Sequence, residues 1–498
     1  MLKRLSCPKQ DVIRIAPLVS LNTRTFVRDH RTFGHRLPIP GRLYRAGRGA
    51  LAVLLFGPLV VSVRVFGRRL RRAPQTRIMA LTSQPGSFSE PSVAIDPHDP
   101  QHVVVAYQDN AHVAYSFDAG RDWASSSVAP RNYSVSGDVS VTYDNRGHAI
   151  VCFIAFDKLG TYNYWAHDGG RNGIFIRRSL DGGKTWEPRT IAVIKHPTKV
   201  GIPWEDKPYI VADQTGGPFS GNLYVGWTRW TLANSEIMFS RSTDDGKTWS
   251  PPIEIDNHPG LPRDDNGADE GFSGTIGPDG TLYVVWADGS HIVFTTSRNG
   301  GRTFARTRDI IHTAPIMFKV QDVSRSNGFP VIAIDPRGPK RGGRLYVAWG
   351  DYRNGDLDVF CATSADHGLT WSPAVRVNSD PVHDGADQFF PWLAVDPITG
   401  AANIVFYDRR SDPTNNKSII VLARSTDGGR RFVNYAWTRK PFDPHGTFIG
   451  DYTGLAARAG RVYGAWTIVP SGAVPASSRH APYHHDVVQA GVAVFSKR

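Results

Sequence analysis

The chain has 498 residues, 40% of them hydrophobic, with 49 glycines, 13 tryptophans and a formal charge of +13 at pH 7. A chain this long can bury several cores' worth of apolar surface, and so much glycine and tryptophan suits many short strands and tight turns. The charge is lopsided: residues 1–82 hold 17 Lys and Arg against two acids, Asp11 and Asp29, which leaves 41 basic and 43 acidic residues for the remainder and excludes the basic face a nucleic-acid-binding domain needs.

The first element is apolar. ALAVLLFGPLVVSV, Ala50 to Val63, follows Arg42, Arg45 and Arg48; its length fits the apolar part of a secretory signal and falls short of the roughly 18 residues a spanning helix needs. This predicts export to the medium or the cell envelope, with any membrane association made through the leader alone. Arg64, Arg68, Arg69, Arg71 and Arg72 follow directly and resist translocation, so a basic arm with one buried helix is the competing expectation. Residues 1–41 are long and charged for a signal start, which suggests a true start further downstream. The expected division is a leader over 1–75 and one folded domain over 76–498.

From there the chain repeats. SFDAGRDW begins at Ser116, SLDGGKTW at Ser179, STDDGKTW at Ser242, SRNGGRTF at Ser297, SADHGLTW at Ser364 and STDGGRRF at Ser425. Regular spacing on this scale marks a repeat architecture. One repeat reads DKPYIVAD from Asp206, NLYVGW from Asn222, EIMFSRS from Glu236, then TWSPPIEI after the box: four short strands with period-two alternation, bounded by Gly, Pro and Asp. Such a unit is one antiparallel blade, and blades arranged radially make an all-β propeller. Inner strands are expected near Glu90, Asp138, Asp206, Glu270, Asn327, Gln388 and Asp451, giving seven blades, with six as the alternative. The last unit lacks a fourth strand, and TRIMALT from Thr76 is available to add it.

The box reads as a staple. Ser and Asp side chains bond backbone groups just ahead of them, Gly supplies positive φ, and the aromatic packs between blades. The alternative makes Asp118, Asp181, Asp244, Asp366 and Asp427 catalytic residues or calcium ligands. Asn299 stands at the same place in one copy and can make the same turn bond, which favours the staple.

These boxes resemble the Asp-box, or BNR, repeats of the sialidase-like superfamily, and the resemblance covers residues 85 to 498. It implies a propeller fold. It does not fix an activity, because xyloglucanase-like glycosidases, sortilin-type receptors and photosystem assembly factors also carry such boxes. The resemblance makes an exo-acting, sialidase-like glycosidase the leading expectation, with carbohydrate or glycoconjugate as partner; a non-catalytic glycan- or protein-binding propeller is the other.

Any site belongs on the face opposite the boxes, where inner strands start and second strands end. Starts supply Glu90, Asp138, Glu205, Asp206, Glu270, Asp387 and Asp451; ends supply Arg229, Asp351, Tyr352, Arg353, Tyr407, Asp408, Arg409 and Arg410. Two longer insertions open there, from Asp157 and between Pro470 and Asp486. A sialidase needs arginines for the sugar carboxylate, a Tyr activated by a carboxylate, and an acid/base Asp. DYTGLAARAGRVYGAW resembles the family's nucleophile strand, so the resemblance implies Tyr452 as nucleophile with Glu270 as its partner, and Asp138 or Asp206 as the acid. Arg229, Arg353, Arg409, Tyr352 and Asp387 are the candidate substrate-binding residues, against the simpler expectation that the arginines pair with neighbouring Asp. Two family arginine positions are absent: the first blade opens SFSEPSVAID with Glu90, and VVWAD puts Asp288 where another would stand.

No cofactor is expected. Calcium on the strand-start carboxylates is the alternative, and no loop shows its ligand spacing; His480, His484 and His485 lack the further ligand that zinc requires. Cys7 lies in the leader, and Cys152 and Cys361 fall in different blades, which predicts small apolar fillers rather than a disulfide framework.

Overall fold

The computed structural model of the chain describes residues 70–82, 86–108, 110–130, 132–197, 201–315, 319–338, 343–470 and 486–495. The apolar segment 50–63, Cys7, and His480, His484 and His485 lie outside the described residues. Seven inner strands, Ser89–Ile95, Val135–Tyr143, Trp204–Ala212, Asp269–Ile276, Val331–Asp335, Gln388–Val395 and Gly454–Arg458, each open a four-stranded antiparallel blade. Blade six gains a fifth strand, Arg71–Arg72, paired in parallel with Val433–Ala436. Among the described residues no helix is long and apolar enough to cross a membrane.

The strands are apolar on both faces because each blade is covered twice. In Leu282–Asp288, the second strand of blade four, Leu282, Val284 and Trp286 pack with Tyr224 and Phe239 of blade three. The alternate residues Tyr283 and Val285 pack with Ile332, Val347 and Trp349 of blade five. Period two sends successive side chains to opposite faces, so one short strand serves two interfaces. Seven apolar clusters of this kind join adjacent blades around the ring. Cys152 and Cys361 are buried free thiols within two of them.

The ring closes where the sequence lacked a strand. Arg77–Ala80 pairs antiparallel with Val487–Val494, from Arg77 opposite Val492 to Ala80 opposite Gln489, and becomes the outermost strand of blade seven. This makes seven blades rather than six. Pairing already starts at Arg71, inside the segment expected to be leader.

All six boxes close the turn between the third and fourth strands of their blades, at the strand end remote from the channel mouth described below. The Ser242 hydroxyl donates to Asp244 Oδ1 at 2.8 Å and accepts the Gly246 N–H at 2.9 Å. Asp244 accepts the Thr248 N–H at 2.9 Å and the Thr248 hydroxyl at 2.6 Å. Asn299 repeats the arrangement, its Oδ1 taking the Ser297 hydroxyl and the Thr303 N–H, both at 3.0 Å. In blade five the Thr370 hydroxyl and N–H hold Asp366 down to about 2. The box aromatics reach the preceding blade: Trp186 donates to Ser126 Oγ at 2.9 Å, and the Trp371 ring lies 5.7 Å from Phe294. The box carboxylates are spent on their own turns.

Removing the serine hydroxyl orphans a buried N–H, whereas Asn in place of Asp keeps the Oδ1 acceptor. Ser242→Ala is therefore expected to lose about 1–2 kcal/mol of stability and Asp244→Asn clearly less, read from paired thermal or urea melts.

Candidate active site

The mouth is built by an irregularity that recurs around the ring. In five inner strands the register slips near the start, between Ser89 and Ser92, Gly137 and Ser140, Asp206 and Tyr209, Glu270 and Ser273, and Phe389 and Trp392. At each slip one residue takes positive φ: Glu90 (53°), Asp138 (43°), Lys207 (48°), Gly271 (79°) and Phe390 (50°). A left-handed non-glycine residue costs about 1–3 kcal/mol and persists where the surroundings over-determine it, and a bulge re-aims the side chain it carries. Here the re-aimed side chains meet at the axis. Gly271 is the exception in kind: a Cβ there would lie 2.7 Å from Phe329, so only glycine leaves room for that ring. Two residues beyond the bulge, Ser92, Ser140 and Ser273 each accept a backbone N–H from the next blade, those of Val141, Ile210 and Ile332, at 3.0–3.2 Å.

Three carboxyls stand in a row over blades one to three. Asp138 is hydrogen-bonded to both Glu90 and Asp206. Burial, then the Asp451 charge, pushes Glu90 up to about 7; burial, then Glu90, pushes Asp138 to about 8. Asp206 rises well above the usual carboxylate range through burial and Asp138, while accepting the Trp230 indole N–H at 2.9 Å. Glu270 rises likewise, through burial and Asp264.

Two cations answer them. Lys207 Nζ lies 3.7 Å from Asp451 Oδ2, 4.2 Å from the Phe329 ring centre and 4.8 Å from that of Tyr452. Arg325 crosses from the loop before blade five, gripping both oxygens of Asp451 and meeting Asp264 Oδ2 at 2.7 Å. Although burial opposes it, Arg325 and Lys207 hold Asp451 below the usual carboxylate range. Asp264 also accepts the Trp165 indole N–H at 3.0 Å, which ties the insertion that starts at Asp157 to the mouth. Below lies a small pocket, with about 40 Å³ of water-accessible space, walled by Tyr209, Phe272, Phe329, Phe390, Trp392 and Tyr452.

The four residues expected to act on substrate come together. Tyr452 donates to the Val139 carbonyl at 3.3 Å, and its ring lies tilted against Trp392 with 5.8 Å between centres. Burial, then the charges of Glu90 and Asp138, keeps its hydroxyl un-ionised far above the ordinary range. Glu270 joins the network through Asp264, Lys207, Asp206 and Asp451.

The expected substrate-binding residues are engaged elsewhere. Arg229 meets Glu205 at 2.7 Å, which His196 also contacts at 2.7 Å. Arg353 pairs with Asp351 through Nε at 2.8 Å. Arg409, fully buried, donates to the Gln321 carbonyl at 2.7 Å and to that of Asn415 at 2.6 Å. Tyr352 donates to the Lys319 carbonyl at 2.7 Å, and Asp387 accepts the Leu357 N–H at 3.1 Å and the Asn415 amide at 2.7 Å. Arg409 and Tyr352 therefore fasten the loop that carries Arg325. Lys207, Arg325 and Asp264 were absent from the sequence reading. Lys207 had a signal, its place beside Asp206 in a strand start; Arg325 had none, since nothing in QDVSRSNG tells how far that loop reaches.

Seven four-stranded blades are stapled by six Asp-boxes, with the ionisable cluster at the opposite mouth. The fold is a seven-bladed β-propeller with Asp-box turns. No family model matches the chain, and no curated protein does. Among solved structures, this propeller is similar to the leech intramolecular trans-sialidase complexed with 2,7-anhydro-Neu5Ac, at 14% identity, covering 71% of this chain and 68% of that one with a TM-score of 0.45. The phage phi92 endosialidase is 10% identical over 85% of this chain and 70% of its own, with a TM-score of 0.49. A protein of unknown function from Dyadobacter fermentans is 13% identical over 85% and 99%, with a TM-score of 0.44. These are similarities of fold. Among the propeller's described residues, no three His, Cys, Asp or Glu side chains are arranged to hold a metal ion.

The raised carboxyls give the propeller a pH signature. In the unfolded chain Asp138 ionises near pH 4, while folded it keeps its proton up to about 8, so its stabilising contribution is full below pH 4 and is lost as pH rises towards 8. Asp138→Asn, which cannot ionise, should melt close to the wild type at pH 4 and several degrees above it at pH 8, measured by scanning fluorimetry across that range.

Proposed function

We propose that the channel mouth is the active site of an exo-acting glycoside hydrolase. The observation that carries this is the row Glu90–Asp138–Asp206, in which Asp138 still holds a proton at neutral pH beside a tyrosine and further carboxyls. Glycoside cleavage needs one carboxyl that gives a proton to the leaving oxygen and a second group that meets the anomeric carbon or activates water. Asp138 fits the first role, and Asp206, bonded to it, steadies the charge left behind. Tyr452 and Glu270 stand for the second, with the tyrosyl proton to be taken by a neighbouring carboxylate as substrate displaces water. The aromatic walls below suit the apolar faces of a sugar ring.

A second reading, a non-catalytic glycan- or protein-binding propeller, is favoured by one observation: Arg229, Arg353 and Arg409 are all committed to internal partners. Turnover separates the two. Full-length protein incubated with a panel of fluorogenic glycosides, a sialoside included, should release fluorophore from at least one. Asp138→Asn should slow it about 100-fold or more, and Tyr452→Phe by a comparable amount. No release from any glycoside, or full activity in both variants, overturns the hydrolase.

We propose export as well, from the signal-like segment Ala50–Val63. Expressed with its leader, the protein should appear in the medium or envelope fraction as a chain shortened past Val63, read by intact-mass measurement; an unshortened cytoplasmic chain rejects this.

A further inference from the structure

The charge balance of the mouth speaks to the kind of sugar, on the footing that the mouth binds glycan. Six carboxyls, Glu90, Asp138, Asp206, Asp264, Glu270 and Asp451, face one another with two cations, of which Arg325 is held by Asp264 and Asp451 and Lys207 by Asp451. Two oxygens in this set accept no N–H or hydroxyl: Glu90 Oε2, whose carboxyl shares a proton with Asp138, and Glu270 Oε2, on side chains only 1% and 4% exposed. A buried carboxyl oxygen that meets no donor is costly, and a ligand donor relieves it. Glu270 also lines a side cleft between blades four and five, with Asp265, Asn327, Phe329 and His291 around it. The molecule already shows what it welcomes there, since the Lys207 ammonium rests between the Phe329 and Tyr452 rings and against Asp451. Aromatic faces together with carboxylate are the surroundings in which an organic ammonium is stabilised.

We propose that the mouth and its side cleft select a glycan bearing a free, protonated amino group, with the ammonium received by Glu270, and that a sugar carboxylate is disfavoured. The groups facing Glu270 are Asp264, Asp206, Asp451 and Lys207, with Asp265 and His291 on the cleft wall. Seating an ammonium on Glu270 favours its charged form, so the proton that burial keeps on the carboxyl leaves for solvent when an amine already protonated binds. A neutral sugar of the same shape releases none.

The test is calorimetric titration of the full chain with three probes: a β-1,4 glucosamine trimer, its fully N-acetylated counterpart, and 3'-sialyllactose. Titrations in two buffers of different ionisation enthalpy count the protons. The amine trimer is expected to bind about tenfold or more tighter than the N-acetylated one, with proton release at about pH 6, where the amines arrive as ammonium, and sialyllactose to bind weakest. Glu270→Gln should erase both the preference and the proton release; Glu90→Gln, at the other such oxygen, should reduce the preference. Equal affinity for the two trimers, preference for sialyllactose, or amine binding without proton release overturns the proposal. Binding is scored apart from turnover. Amine-selective binding without hydrolysis leaves this proposal standing and removes the hydrolase, while hydrolysis indifferent to the amine does the reverse.

Discussion

A blade with two apolar faces cannot face water on either. Tyr283 and Val285 look one way and Val284 and Trp286 the other, so each sheet demands a neighbour on both sides, and the demand is met only when the row bends into a ring. Everything at the mouth inherits this constraint. Strand starts from all seven blades are gathered on one axis, where they cannot move apart without opening an interface. That rigidity lets the ring keep residues such as Glu90, Asp138 and Lys207 at positive φ, and it crowds carboxyls closely enough that several stay protonated.

The mouth is thus an electrostatic compromise held by packing. Lys207 and Arg325 carry the charge of Asp451 and Asp264, which leaves Glu90, Asp138, Asp206 and Glu270 to share protons instead of counter-ions. Arg325 is delivered by a loop that Arg409 and Tyr352 hold at Gln321 and Lys319. Residues well back from the mouth thereby set how tightly it is strapped. A group can matter to recognition without touching what is recognised.

The fold was legible because its signals are local and repeated. The box at Ser242 announces its own hydrogen bonds, and the alternation in NLYVGW announces two buried faces. The count of six boxes for seven blades also follows from the chain: the third and fourth strands of blade seven, Val487–Val494 and Arg77–Ala80, have no covalent turn between them, hence no place for a seventh box. The candidate site was legible in part. Tyr452, Glu270, Asp138 and Asp206 sit at inner-strand starts, whose position the repeat fixes. Arg353 pairs with its neighbour Asp351, as the simpler expectation had it, but the partners of Arg229 and Arg409, Glu205 on the facing strand and two loop carbonyls, are ones that periodicity does not reveal. Arg325 depends on the path of an irregular loop, and the bulges that turn Lys207 inward leave no mark in composition.

The closing strand has a consequence for how the molecule comes into being. Arg77 and Val492 are partners in one ladder, although nearly the entire wheel is synthesised between them. Six blades can assemble in order as the chain emerges, each against its predecessor, but the seventh waits for both ends. Until then the flanks of the first and last blades stay wet, and the row of acids at the axis lacks Asp451 and Tyr452. The pocket is therefore completed in a single late event, and an early-released or truncated chain would carry most of the scaffold and its first acids without the aspartate and tyrosine that finish it.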